Sequence, residues 1–133
     1  LQKDAMVQRG REALAKATTG KPKDVPRAMH KPGLGTIHLI QGWRGKGPLQ
    51  EHGRGLAKIL QKHRKEMERL PETIVKGKVY RLKNKHTGKE DPDRKAIVYG
   101  AFIAFLRRNK SGWDVTSHYN SEVTARAIVS GRY

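Results

Sequence analysis

The chain has 133 residues, no cysteine, and 29 lysines and arginines against 12 acidic residues, for a net charge of +17. Without cysteine there is no disulfide, no thiolate nucleophile and no cysteine-ligated zinc site. No apolar run approaches the ~18 residues of a spanning helix, and no basic start with an apolar middle and a small-residue cleavage site marks a signal peptide.

A positive field of this size makes a polyanion the expected partner. Residues 2–17 read as a polar, weakly amphipathic helix, broken by Thr18-Thr19-Gly20-Lys21-Pro22. Leu1, Val7 and Leu14 give it little apolar surface, so residues 1–23 are expected to be an N-terminal helical extension or linker and 24–133 the domain. A start at Leu1 reads as a piece of a longer protein. Asp24 to Gly35, with two prolines and two glycines, reads as a loop leading into a strand over Thr36 to Ile40, which Gly42-Trp43-Arg44-Gly45-Lys46-Gly47-Pro48 ends.

The most patterned stretch runs from Gly55 to Leu70. Leu56, Ile59, Leu60, Met67 and Leu70 form one helical stripe, His63 fills its missing place, and Lys58, Lys62 and Lys65 lie off it. Pro71-Glu72-Thr73-Ile74 restarts the chain, and Val75 to Lys83 alternates as a half-exposed strand. After a polar turn over Asn84 to Asp93, Lys95 to Arg107 is apolar on both parities and reads as one central strand. Asn109 to Gly112 turns the chain again. In the strand from Gly112 to His118, Trp113 and Val115 share the face toward the helix, which puts Asp114, Thr116 and His118 on the open face. Asn120 to Tyr133 is compatible with a short helix or an edge strand. The expected fold is α+β: a central antiparallel sheet with a helix on one face and a concave, cationic second face.

Read together, Asp24 to Gly35 with its Val25-Pro26-Arg27-Ala28-Met29-His30 run, Gly35-Thr36-Ile37, Gln41-Gly42-Trp43 and Gly53 to His63 resemble one branch of a nuclease superfamily. That superfamily is the barnase, EndoU, colicin and RelE-like nucleases, and the branch is the phage-encoded and polymorphic-toxin one, of the contact-dependent growth inhibition type. The similarity spans residues 24–119. Ala57-Lys58-Ile59, His63, Pro71-Glu72-Thr73-Ile74 and Trp113-Asp114-Val115-Thr116 stand where the branch has an Ala-His-Ile helix start, a following basic or histidine residue, a Pro-Glu-x-Ile segment and a Trp-x-x-Thr strand. Lys58 departs from the pattern by replacing a histidine. Val115 to Tyr119 resembles the late strand of barnase, where a histidine is the acid, which makes His118 the candidate replacement. The resemblance implies a bacterial, metal-independent endoribonuclease toxin with transfer RNA as expected substrate. It also implies delivery to a target-cell cytoplasm and a cognate acidic immunity protein.

Such cleavage needs a base for the ribose 2′-OH, an acid for the leaving 5′-oxygen and cations for the phosphorane, and leaves a 2′,3′-cyclic phosphate. His118 is the expected acid, with Thr116 beside it to position a phosphate oxygen. His63 is either the base or a satisfied core imidazole, and Lys58 is a cation or a proton carrier. Arg107 is a candidate phosphate clamp because a guanidinium contacts two oxygens at once. Tyr119 is a candidate for base stacking, for hydroxyl donation or for plain packing. His30, His38, His52 and His86 lack metal-ligand spacing, and no phosphate-cradling glycine motif occurs, so no metal or cofactor is expected. The rival readings are a non-catalytic nucleic-acid-binding module and a structural phage or secretion component.

Overall fold

The computed structural model describes residues 2–43, 53–62 and 64–133. The fold is α+β, with a six-stranded sheet in the order β1-β2-β6-β5-β4-β3. The strands are β1 (Val25–Lys31), β2 (Gly35–Leu39), β3 (Lys78–Lys83), β4 (Glu90–Tyr99), β5 (Phe102–Asn109) and β6 (Gly112–Asn120). The helices are α1 (Gln2–Thr18), α2 (Gly55–Lys62), α3 (Arg64–Met67), α4 (Leu70–Lys76) and α5 (Glu122–Val129). The segment containing α2 to α4 carries the chain from β2 to the far edge of the sheet. The meander β3 to β6 then walks back until β6 lies parallel to β2, with Ile37 opposite Trp113 and Leu39 opposite Val115. The sheet is therefore mixed rather than wholly antiparallel.

Several sequence expectations are corrected. Asp24 to Gly35 is not only a loop: Val25–Lys31 is an edge strand paired with β2. Pro26 is tolerated there because an edge strand has one side with no ladder bond to lose. Pro71 does not merely restart the chain but sits in the first turn of α4, where a missing N–H costs nothing. The third strand accordingly begins at Lys78 instead of Val75. Residues 95–107 are two strands, because Gly100 adopts φ +62° and Gly100-Ala101 closes a hairpin with Tyr99 opposite Phe102.

Two apolar clusters fill the faces of the sheet. On the first, Leu56 and Ile59 of α2 and Leu70, Ile74 and Val75 of α4 meet Ile37, Leu39, Ile97, Leu106, Trp113 and Val115. Helix α1 belongs to the same cluster through Val7, Leu14 and Ala17, so this part of the expected extension is packed rather than a free arm. It comes close at Gly10, where a Cβ would lie 2.6 Å from Met29 Cε and 2.9 Å from Pro71 Cβ. The ammonium of Lys31, nearly buried, donates to the carbonyls of Val75 and Gly77 and ties β1 to the end of α4. Burial, then the neighbouring charge of Lys3, holds its pKa below the ordinary lysine range.

On the second face, Ala125 and Ile128 of α5 cover Leu82, Ala96, Val98, Ile103 and Phe105. Ser121 caps α5, its Oγ accepting from the Thr124 N–H at 3.2 Å. The helix packs on β3, β4 and β5 and leaves the β6 side of this face open. Close to that open side the backbone crosses itself: Trp43 and Arg54 exchange hydrogen bonds of 2.8 and 2.9 Å. Gly42, at φ +66°, lies against them, and a Cβ there would stand 1.8 Å from the Arg54 carbonyl oxygen. Only glycine fits this crossing, which sets where α2 begins.

Candidate nucleic-acid interface

The open part of the second face is a cleft of about 710 Å³. Arg54 and Lys58 line it from the start of α2, and Lys85 and His86 from the turn between β3 and β4. Arg94 and Arg107 come from β4 and β5, Thr116, Ser117 and Tyr119 from β6, and Tyr133 from the segment after α5. The expected Lys58, Arg107, Thr116 and Tyr119 thus share one cleft. His63 lies outside the described residues.

His118 does not share it. The pairing of β5 with β6 slips between Phe105 and Leu106, so that Phe105 faces Ser117 while Leu106 faces Val115. The extra residue is Thr116, whose Oγ1 donates to the Phe105 carbonyl at 3.1 Å. A one-residue bulge reverses the parity of everything beyond it. Thr116 and Ser117 both line the cleft, and His118 turns under α4. This corrects the expectation that Thr116 and His118 share the open face.

The His118 ring is fully buried and stacks on Phe102, with centroids 5.8 Å apart and planes 11° apart. Its Nε2 lies 3.0 Å from Thr73 Oγ1. Thr73 has one hydroxyl proton and donates it to the Arg69 carbonyl at 2.9 Å. Its oxygen must therefore accept from His118, which places the imidazole proton on Nε2. A histidine held this way joins β6 to α4 and has no route to the cleft.

Arg94 and Arg107 are direct cross-strand partners. Like charges placed opposite each other weaken a sheet. Among the described residues neither forms an ion pair that would offset this. Opposite Arg107 on the other side stands Asp114. Its carboxylate accepts from Asn109 Nδ2, and burial, the leading influence, raises its pKa. The Lys85-His86 turn is organised by Asn84, whose Oδ1 accepts from the N–H groups of His86 and Thr87 at 2.8 and 3.2 Å.

Hydroxyls and aromatic rings complete the surface. Among the described residues the Ser117 hydroxyl has no hydrogen-bond partner, whereas the Thr116 proton is engaged by the Phe105 carbonyl. Burial, then the adjacent Tyr133, lifts the Tyr119 hydroxyl from the usual 10.0 to about 12. Tyr119 is therefore a neutral donor at physiological pH. Its folded pKa lies above the unfolded one, so this contribution to stability is complete below pH 10 and declines from there towards pH 12. Tyr119→Phe is expected to flatten that alkaline decline in a denaturation series; an identical slope in wild type and variant would refute the assignment.

A second polar cluster lies beyond β6. His38 Nδ1 accepts from the Arg27 N–H at 2.8 Å, and Nε2 stands 3.1 Å from Ser111 Oγ. Because Nδ1 is an acceptor, Nε2 carries the proton of the neutral ring and cannot take one from Ser111. The pair is not a serine nucleophile with its base. Among the described residues no three histidine, aspartate or glutamate side chains group as metal ligands, and no helix is long and apolar enough to cross a membrane.

Sequence reasoning missed Arg94, His86, Ser117 and Tyr133. Reading Gly100-Ala101 as a two-residue turn would have placed Arg94 opposite Arg107. Nothing in the order of residues signals the bulge that turns Ser117 to the cleft side of the sheet. Comparison with protein-family models, curated proteins and solved structures finds no match to this chain.

Proposed function

We propose that the cleft binds RNA and that the domain is a metal-independent endoribonuclease. The observation that carries the reading is the convergence of Arg54, Lys58, Lys85, Arg94 and Arg107 with His86 and hydroxyl donors on one open sheet face. The cations attract the phosphodiester, and a guanidinium pair suits a phosphorane whose equatorial oxygens gain charge. His86, the one histidine lining the cleft among the described residues, carries an imidazole that can give or take a proton and takes the role first expected of His118. Lys58 supplies charge to the same phosphate. Ser117 donates a hydrogen bond. An acidic inhibitor protein covering the cleft, and transfer RNA as substrate, belong to the same proposal.

The second reading is a binding module without turnover, favoured by the burial of His118. Incubation with total RNA in excess chelator separates the two. The ribonuclease yields 2′,3′-cyclic or 3′-phosphate ends with 5′-hydroxyls and leaves a strand with 2′-deoxyribose at the cut position bound and intact, since that strand has no internal nucleophile. His86→Ala lowers turnover about 100-fold or more, in line with general acid or base catalysis, while binding persists. Cleavage that requires Mg²⁺, or 5′-phosphate products, would remove this mechanism; no cleavage of any RNA selects the binding module.

A further inference from the structure

We propose that the cleft takes its nucleic acid as a single strand, with an unpaired base stacked on the aromatic surface of Tyr133 and Tyr119. The proposal rests on the nucleic-acid reading above. Phe105 is the floor of this surface: it is nearly buried, with Tyr119 at a centroid distance of 5.6 Å and Tyr133 at 6.0 Å. Both tyrosines remain partly accessible and line the cleft. Aromatic side chains are ordinarily spent on the core, and this fold has few of them, with Tyr 4, Phe 2 and Trp 2 in the whole chain. Gathering three in a cationic cleft is the arrangement that holds unstacked bases, because every base offers a π face.

Charge is interleaved with these rings at nucleotide scale. Arg107 follows Phe105 by two residues on the same strand, about 7 Å along the same face at the rise of a β-strand. Lys85 Nζ lies 5.7 Å from the Tyr133 ring centroid. A base sliding onto that face displaces one exposed, flexible lysine, whose ammonium then meets the adjoining phosphate. An A-form duplex keeps its bases within the helix and presents phosphates and 2′-hydroxyls. It would use the arginines and leave the rings idle. An acidic protein would likewise gain from the charge but has no need of a stacking surface.

The test uses short 2′-O-methyl RNA, which lacks the nucleophile and stays uncut, as a single strand and annealed to its complement. At physiological salt the single strand is expected to bind more tightly than the duplex. Tyr133→Leu, which keeps apolar packing on Phe105, should weaken single-strand binding by about 5-fold or more and leave duplex binding unchanged, whereas Tyr133→Phe should retain it. In the wild-type protein, 2-aminopurine in the strand should be quenched on binding at one or more positions, a readout independent of whether the leucine variant folds. Duplex binding as tight as single-strand binding, or fluorescence unquenched at every position, overturns the proposal. Selective single-strand binding with no cleavage of the unmethylated strand supports it and removes the ribonuclease reading. Cleavage combined with duplex preference does the reverse, and no binding of either removes both.

Discussion

Replacing Arg94 and Arg107 by glutamine is expected to weaken RNA binding about 100-fold, at roughly tenfold for each lost charge-assisted contact, and to raise the unfolding temperature. The two effects have opposite signs because the same geometry causes both. Each arginine offers a fork of donors to a phosphate, and each loss should lower the slope of log affinity against log salt by about one. In the free protein the two side chains are cross-strand neighbours. Removing that repulsion should stabilise the sheet by about 0.5 kcal/mol, or roughly 2 °C. A stability cost held at one place on a sheet and relieved by ligand is the pattern of a binding site. Anisotropy titrations over a salt series, with calorimetry on the same samples, measure both quantities. Equal affinity and salt slope in wild type and double variant would mean that the nucleic acid lies elsewhere.

His118→Ala should destabilise the domain by about 3 kcal/mol, roughly 10 °C in unfolding temperature, through the emptied volume beneath α4 and the loss of the Thr73 hydrogen bond. The ring is fully buried, stacked on Phe102, and donates to a threonine whose own proton is already committed. Cleavage per folded molecule should persist, since no edge of the imidazole reaches the cleft. Thermal unfolding and activity measured on the same preparations, the latter well below the variant's transition, decide between packing and catalysis. A variant as stable as wild type with turnover abolished would return His118 to the mechanism and contradict the placement of its ring.

How much of this was legible beforehand follows from the range of the interactions concerned. Periodicity located the apolar face of α2, because Leu56 and Ile59 recur at helical spacing and a helix repeats its environment every turn. β-Branched and apolar content located β2, and alternation located most of β6. Net charge, summed over the chain, makes an anion the expected ligand, and the sequence candidates Lys58, Arg107, Thr116 and Tyr119 meet in one cleft. These are local or additive properties, and neighbours in sequence are enough to determine them.

Face and pairing are different. Which side of the sheet His118 occupies depends on a bulge that forms only when β6 is laid against β5, where Thr116 bonds to the Phe105 carbonyl. The opposition of Arg94 and Arg107 depends on where the chain reverses, and Gly100 was outvoted by the apolar residues around it. Helix α1 is polar enough to read as an arm, yet it finds its partners in Pro71 and Met29, far along the chain. The sequence by itself determined the α+β class, the apolar face of α2 and the positive charge of the chain, because those follow from composition and short-range period. Only the tertiary structure decided which titratable groups face the cleft, because in a sheet one extra residue exchanges core for surface.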